Sequence, residues 1–168
     1  TLIAVLSAEP GYRRGSAVYT GYLGVVMSIT ETSMYKYLMQ NYNEKKDAVA
    51  MSFLHKKFTY GFLSDEIDRI ACFLKNQGIE KGDRVTIALP NIPSAVSSFY
   101  AVNKIGAVAN MVHPLVPYEL LAEYMKDTGS KLLFAFDTLL DGYFDRLIKD
   151  GFRVVVCKAN DYLSAFES

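Results

Sequence analysis

At 168 residues, 51% of them apolar and 21% charged, the chain suits one ordinary globular domain and excludes a disordered or low-complexity polymer. Lys and Arg total 18, as do Asp and Glu, so no global field draws the chain to nucleic acid or to an anionic membrane. No apolar run is long enough to cross a bilayer, and Cys72 and Cys157, far apart in apolar surroundings, exclude a disulfide framework and place the chain in the cytoplasm as an expectation.

Residues 1–26 carry Gly11, Gly15, Gly21, Gly24 and the pair Arg13-Arg14, with no sustained helical period. They are expected to be an unstructured leader or a non-native upstream extension, with Met27 opening a second region at 27–168. The competing reading is an edge strand at 17–22.

From Ser33 onward the chain alternates. Met34, Tyr35, Leu38, Met39 and Tyr42 spell a short amphipathic helix. Val49–Phe53 and 57–60 read as a hairpin turning at His55-Lys56. Leu63, Ile67, Ile70, Ala71 and Leu74 then form one apolar helical stripe, and Gly78 stands where a left-handed cap belongs.

Residues 84–89 are a β-branched strand ending at Pro90. Ser94 is expected to cap the next helix, with Val96, Phe99 and Tyr100 on its inner face, Asn103 beside them, and Gly106 at its end. A strand at 107–112 follows. Pro117 opens a helix in its first turn, with Leu120, Leu121, Tyr124 and Met125 buried and Gly129 as its stop. A strand at 131–136 comes next, then a stripe of Leu139, Leu140, Tyr143, Phe144, Leu147 and Ile148 weakened by Gly142. A strand at 153–157 and the start of one more helix at 161–166 complete the order.

Strands alternating with helices at this spacing require crossover connections. The expected fold class is therefore α/β, a mostly parallel sheet with helices on both faces. The apolar character of 84–89, 107–112 and 153–157 suggests strands buried on both sides.

Chemistry-bearing patterns are sparse. There is no GxxxxGK[ST], no GxGxxG after a strand and no G-x-S-x-G, and the glycines of 78–84 precede a strand, so they read as a turn. His55 and His113 have no ligand-spaced partners, so no metal site is expected. A phosphoacceptor site would need carboxylates at successive strand ends, and Asp137 alone stands at one. His113 follows a strand and precedes Pro114, at the edge where open sheets collect ligands; a ligand contact and a hydrogen bond to backbone are both open for it.

Several segments, in order, resemble one family. Thr59-Tyr60-Gly61-Phe62-Leu63 is similar to a threonine-tyrosine-glycine-glutamate-leucine signature, with Thr59 as helix cap and Phe62 where a glutamate could close a capping box. That departure is expected to cost the helix about 1 kcal/mol or less. Gly78-Ile79-Glu80-Lys81-Gly82-Asp83-Arg84-Val85, Leu89-Pro90-Asn91, Lys104-Ile105-Gly106-Ala107, Asn110 to Leu115 and Asp127-Thr128-Gly129-Ser130-Lys131 continue the likeness. By these segments the chain resembles the N-terminal part of adenylate-forming enzymes, in particular acyl-CoA synthetases.

The resemblance implies the N-terminal subdomain of that fold, incomplete here. For the whole enzyme it implies ATP, magnesium (Mg2+) and CoA, with a carboxylic acid substrate activated as an acyl-adenylate and passed to CoA. The phosphate loop, the adenine and metal segment and the C-terminal lysine of that family lie downstream of the matched region. No cofactor is therefore expected in this chain itself, and its expected partner is the remainder of a synthetase domain. In some relatives the loop aligned with residues 112–115 borders the CoA pantetheine channel. This makes His113 and Pro114 the candidate site, although those relatives typically have glycines there. The reading from another class is a free-standing α/β binding or interaction module without catalytic activity.

Overall fold

The structure is a computed structural model and describes residues 16–20, 26–30, 32–40, 42–139 and 142–162. It divides into two compact units, Thr1–Ser33 and Met34–Ser168. In the first, strands β1 (Ser16–Thr20) and β2 (Val26–Thr30) pair antiparallel, Tyr19 opposite Met27. An antiparallel strand pair therefore stands where part of an unstructured leader was expected, β1 overlaps the competing edge strand at 17–22, and the boundary drawn at Met27 falls inside β2. The rest of 1–15 and 21–25 lies outside the described residues.

The second unit begins with two short helices, α1 (Met34–Leu38) and α2 (Tyr42–Lys45), where one was expected. The amide of Tyr35, near the start of α1, donates to Asn103 Oδ1 at 2.8 Å, which satisfies one of the donors a helix start leaves orphaned. Strands β3 (Val49–Phe53) and β4 (Lys56–Thr59) form the hairpin. Its turn is Leu54-His55, one residue earlier than expected. Both have positive φ (45° and 66°), the backbone that a two-residue turn matching the strand twist requires. With that register Lys56 pairs with Phe53 and Phe58 faces the core.

Helix α3 (Tyr60–Asn76) starts as its sequence indicates: Phe62 N–H donates to Thr59 Oγ1 at 3.2 Å. It ends in a Schellman motif. Gly78 takes φ +71°, its amide donates to Lys75 O (2.9 Å), and Ile79 N–H reaches Leu74 O (3.0 Å) while the Ile79 and Leu74 side chains are buried in one cluster.

Beyond α3 lie β5 (Arg84–Ala88), α4 (Pro93–Lys104), β6 (Val108–Met111), α5 (Tyr118–Thr128), β7 (Leu132–Phe136), α6 (Phe144–Lys149) and β8 (Val154–Cys157). Single 3-10 turns follow β7 at Asp137–Leu139 and β8 at Ala159–Tyr162, the latter where the start of another helix was read; 163–166 lie outside the described residues. The four strands make one parallel sheet in the order β6-β5-β7-β8. Alternation along β7 sorts its two faces. Leu132 and Phe134 join Val85, Ile87 and the buried residues of α3 and α4, whereas Leu133 and Ala135 join Ala88 and those of α5 and α6. Each large side chain so buried contributes about 1.5–3 kcal/mol.

Helices thus cover both faces of the sheet, as expected, but the burial of individual elements differs. The central strands β5 and β7 are buried except at Arg84 and Phe136; β6 and β8 are the outer strands of the described sheet and are only partly covered. Ile92, not Ser94, is the N-cap of α4, because Pro93 occupies the first helical position and needs no acceptor for an N–H it lacks. Ser94 is instead turned inward and buried. The inner face of α4 is Ser94, Ser97, Ser98, Ala101 and Val102, whereas Val96, Phe99 and Tyr100 are half-buried at its flank. Ser98 Oγ donates to Ser94 O at 2.6 Å.

In α5 Pro117 is the N-cap, and Tyr118 and Ala122 join Leu121 and Met125 in the core, while Tyr124 stays exposed. Tyr118 is held by its hydroxyl on the Asp150 carboxylate and by the Arg146 guanidinium 3.7 Å above its ring.

Candidate functional site

In an open parallel sheet, ligands collect beyond the carboxyl ends of the strands where successive crossovers leave in opposite directions. Here that place is fixed by topology. The crossover from β5 carries α4 onto one face, and that from β7 carries α6 onto the other, while β5 and β7 are hydrogen-bonded neighbours. Their carboxyl ends, with the end of β6 alongside, enclose a cleft of about 460 Å³. From β5 come Leu89, Pro90 and Asn91, from β6 His113, Pro114 and Leu115, and from β7 Phe136 and Thr138.

Both residues singled out from the sequence, His113 and Pro114, therefore lie in this cleft. The His113 ring is exposed, and its Nδ1 accepts the Leu115 N–H at 3.2 Å. Val116 N–H donates to His113 O at 3.2 Å, and Val112 N–H to Ile87 O at 3.0 Å, so the loop is closed on itself and tethered to β5. Asp137, the single strand-end carboxylate, accepts from the Thr138 amide (2.8 Å) and hydroxyl (3.2 Å), which occupies it in its own turn.

Sequence reasoning named Leu89-Pro90-Asn91 only as a motif and passed over Phe136 and Thr138. The available signal was position: each stands at the carboxyl end of a strand or within three residues beyond it. His55 takes no part and sits exposed in the β3–β4 turn.

A larger crevice of about 670 Å³ lies between α3, the β3–β4 hairpin and the ends of β7 and β8. Several aromatic rings line it, and its acidic groups are already engaged: Tyr162 OH donates to Glu66 Oε2 at 3.0 Å, Arg69 pairs with the same carboxylate, and Asp161 Oδ2 accepts the Lys158 amide at 2.9 Å. The Tyr162 hydroxyl is pushed up to about 12, chiefly by burial, and so stays a neutral donor. Size alone does not make this the better site, because these polar groups grip one another.

Among the described residues no group of three His, Cys, Asp or Glu converges. No helix of the described residues is long and apolar enough to cross a membrane.

By class the second unit is a doubly wound α/β fold with a mixed apolar and polar cleft at its switch point. The family follows from comparison: a family model described as AMP-binding enzyme matches residues 38–163, and the chain belongs to that family. It is 40% identical over 87 residues to an acetyl-coenzyme A synthetase of Xanthobacter autotrophicus, covering 52% of this chain and 13% of that protein. To the acetyl-coenzyme A synthetase of Pyrobaculum arsenaticum it is 32% identical over 124 residues, covering 73% of this chain and 18% of the other. Among solved structures, a benzoate CoA ligase from Burkholderia xenovorans LB400 superposes with a TM-score of 0.71 at 16% identity, over 76% of this chain and 26% of that one. The fold is thus that of adenylate-forming ligases. The chain spans less than a fifth of the length of these curated relatives, 13% and 18%.

Proposed function

We propose that this chain is the N-terminal part of an ATP-dependent acyl-CoA synthetase. The reaction of the whole enzyme joins a carboxylate to the α-phosphate of ATP, releasing pyrophosphate, and then moves the acyl group from the adenylate to the thiol of CoA. The observation that carries the reading is the family match over 38–163 on a chain whose switch-point cleft bears the His113-Pro114 loop. In this reading His113 and Pro114 wall the channel that admits the pantetheine arm, the protein works in the cytoplasm, and the remainder of a synthetase domain is its partner.

The 168 residues contain no Ser/Thr/Gly-rich loop ending in Lys to grip a triphosphate. The chain alone then supplies scaffold and one channel wall, and is catalytically silent. Pyrophosphate release from ATP with acetate, longer fatty acids and benzoate is expected to stay at the blank; turnover with any of them overturns the silent reading. The family activity is tested by a chimera in which the aligned segment of the Pyrobaculum relative is replaced by this chain's. A folded chimera that still forms acetyl-CoA supports the reading, and one that folds but is inactive overturns it.

A further inference from the structure

We propose that the crevice between α3, the β3–β4 hairpin and the ends of β7 and β8 binds a small, uncharged aromatic molecule that carries an N–H or O–H, of the indole or phenol kind. Its lining shares no residue with the strand-end cleft, and nothing in it depends on what that cleft holds. The volume, about 670 Å³, falls in the range of small-molecule sites. Phe58, Phe62, Phe73, Phe134 and Tyr162 contribute rings to its walls. Phe58 and Phe62 lie 4.9 Å apart, and both meet Tyr162 edge-on, at 5.8 and 6.1 Å, so these rings hold one another instead of collapsing into the space. A flat apolar body suits such walls.

The charges of the crevice cancel. Two cations, Lys56 and Arg69, balance two carboxylates, Glu66 and Asp161. Arg69 pairs with Glu66, and Lys56 Nζ donates to Tyr162 O at 3.4 Å. The Arg69 side chain is 69% exposed, so an anion beside it stays in water. Burial, first among the causes, pushes the Cys157 thiol up to about 11 and the Tyr162 phenol up to about 12, which keeps both neutral. An ionised ligand would lose its hydration here without gaining an unmatched counter-charge.

The hydroxyl hydrogens of the buried floor are also spent. Ser98 Oγ donates to Ser94 O at 2.6 Å, Tyr162 OH donates to Glu66 Oε2 at 3.0 Å, and the Ser94 hydroxyl serves Tyr162 and Cys157. Apart from the weak S–H of Cys157, what Ser94 Oγ and its neighbours still offer is lone pairs. A carbonyl or carboxylate finds no strong donor at this floor. An indole N–H or a phenol O–H brings its own hydrogen and is accepted by Ser94 Oγ.

NMR titration of the 168-residue chain with indole, 1-methylindole and benzoate, followed at backbone amides, tests this. Indole is expected to shift the amides of Phe62, Ile70, Cys157 and Tyr162 with a dissociation constant of about 1 mM or lower. 1-Methylindole keeps the rings but loses the N–H, and is expected to bind about fivefold more weakly, the size of one lost hydrogen bond. Ser94→Ala is expected to weaken indole by about the same factor and to leave 1-methylindole unchanged, because the bond is lost only once. Equal binding of the two indoles by the wild-type chain overturns the proposal without recourse to any variant. Benzoate shifting these amides as tightly as indole overturns it as well. Amides silent to every probe do the same and leave the crevice to a protein segment.

Discussion

Arg84 closes the carboxyl end of α5 across the sheet: its Nε donates to Thr128 O at 2.6 Å and its Nη2 to Gly129 O at 3.3 Å. A residue at the start of β5 thereby satisfies carbonyls that a helix end leaves orphaned 44 and 45 positions later. Gly129 is required twice over. Its φ is +61°, and a Cβ built on it would stand 2.6 Å from Arg84 Nη2. Gly129→Ala should therefore cost about 1–2 kcal/mol through backbone alone and displace the guanidinium as well. Arg84→Lys keeps the charge but loses the fork, and should cost about 1–2 kcal/mol. Urea denaturation checks both; an unchanged midpoint for Gly129→Ala would contradict the left-handed cap.

Phe62 explains the departure from the capping-box glutamate. Its ring lies 4.9 Å from Phe58 and 6.1 Å from Tyr162, centroid to centroid, so the position contributes aromatic packing in place of a second cap bond. Such pairs add about 0.5–1.5 kcal/mol beyond area, which offsets the modest cost expected from the sequence. Phe62→Glu should then lower stability despite completing the box, while Thr59→Ala should cost about 1 kcal/mol by removing the bond to Phe62 N–H. Thermal melts of the two variants decide between packing and capping at this site.

Asp83 stabilises the turn before β5 and should give an acid-side signature. Its carboxylate accepts from Lys131 Nζ and from the Glu80 amide, both at 2.8 Å. The hydrogen bond from Lys131 first, then that from Glu80, holds its pKa below the ordinary 3.8. With a lowered folded value, the unfolded chain binds the proton more readily, so the contribution is complete above pH 3.8 and fades as pH falls through the folded value. Wild type should exceed Asp83→Asn in urea midpoint at neutral pH, with the gap closing below 3.8. A gap that persists unchanged in acid would mean the carboxylate is not the stabilising form.

Much of this architecture is legible before any coordinates, and the exceptions share physical causes. The stripe of α3 and its caps at Thr59 and Gly78 are local signals, set by side chains within one or two turns. The inner face of α4 misleads because its buried members are Ser94, Ser97, Ser98 and Ala101, small residues that let α3 and the sheet approach. Large apolar residues normally mark an inner face, and here Phe99 and Tyr100 are pushed to its rim. Which strands are central is likewise not encoded in apolar content: residues 107–112 and 153–157 are as apolar as β5, yet their strands lie outside it. The cleft is least legible of all. Asn91, His113 and Thr138 come together only because strand order places three carboxyl ends side by side, and order is a property of crossovers rather than of any residue.

The two cysteines test that strand order chemically. Cys72 sits exposed on α3, whereas Cys157 ends β8 and is buried in the cluster that holds α3, α4 and one face of the sheet. Burial first, and the nearby Asp161 charge second, push the Cys157 thiol up to about 11. At pH 8 only about a thousandth of it is thiolate, the nucleophilic form. A disulfide reagent should therefore titrate one thiol quickly and the second at least about tenfold more slowly, until urea unfolds the chain. Cys72→Ser should abolish the fast phase and Cys157→Ser the slow one. A single fast phase in the folded protein would mean that β8 does not close this side of the sheet, and with it the packing of Phe134 and Phe136 beside that strand would be wrong.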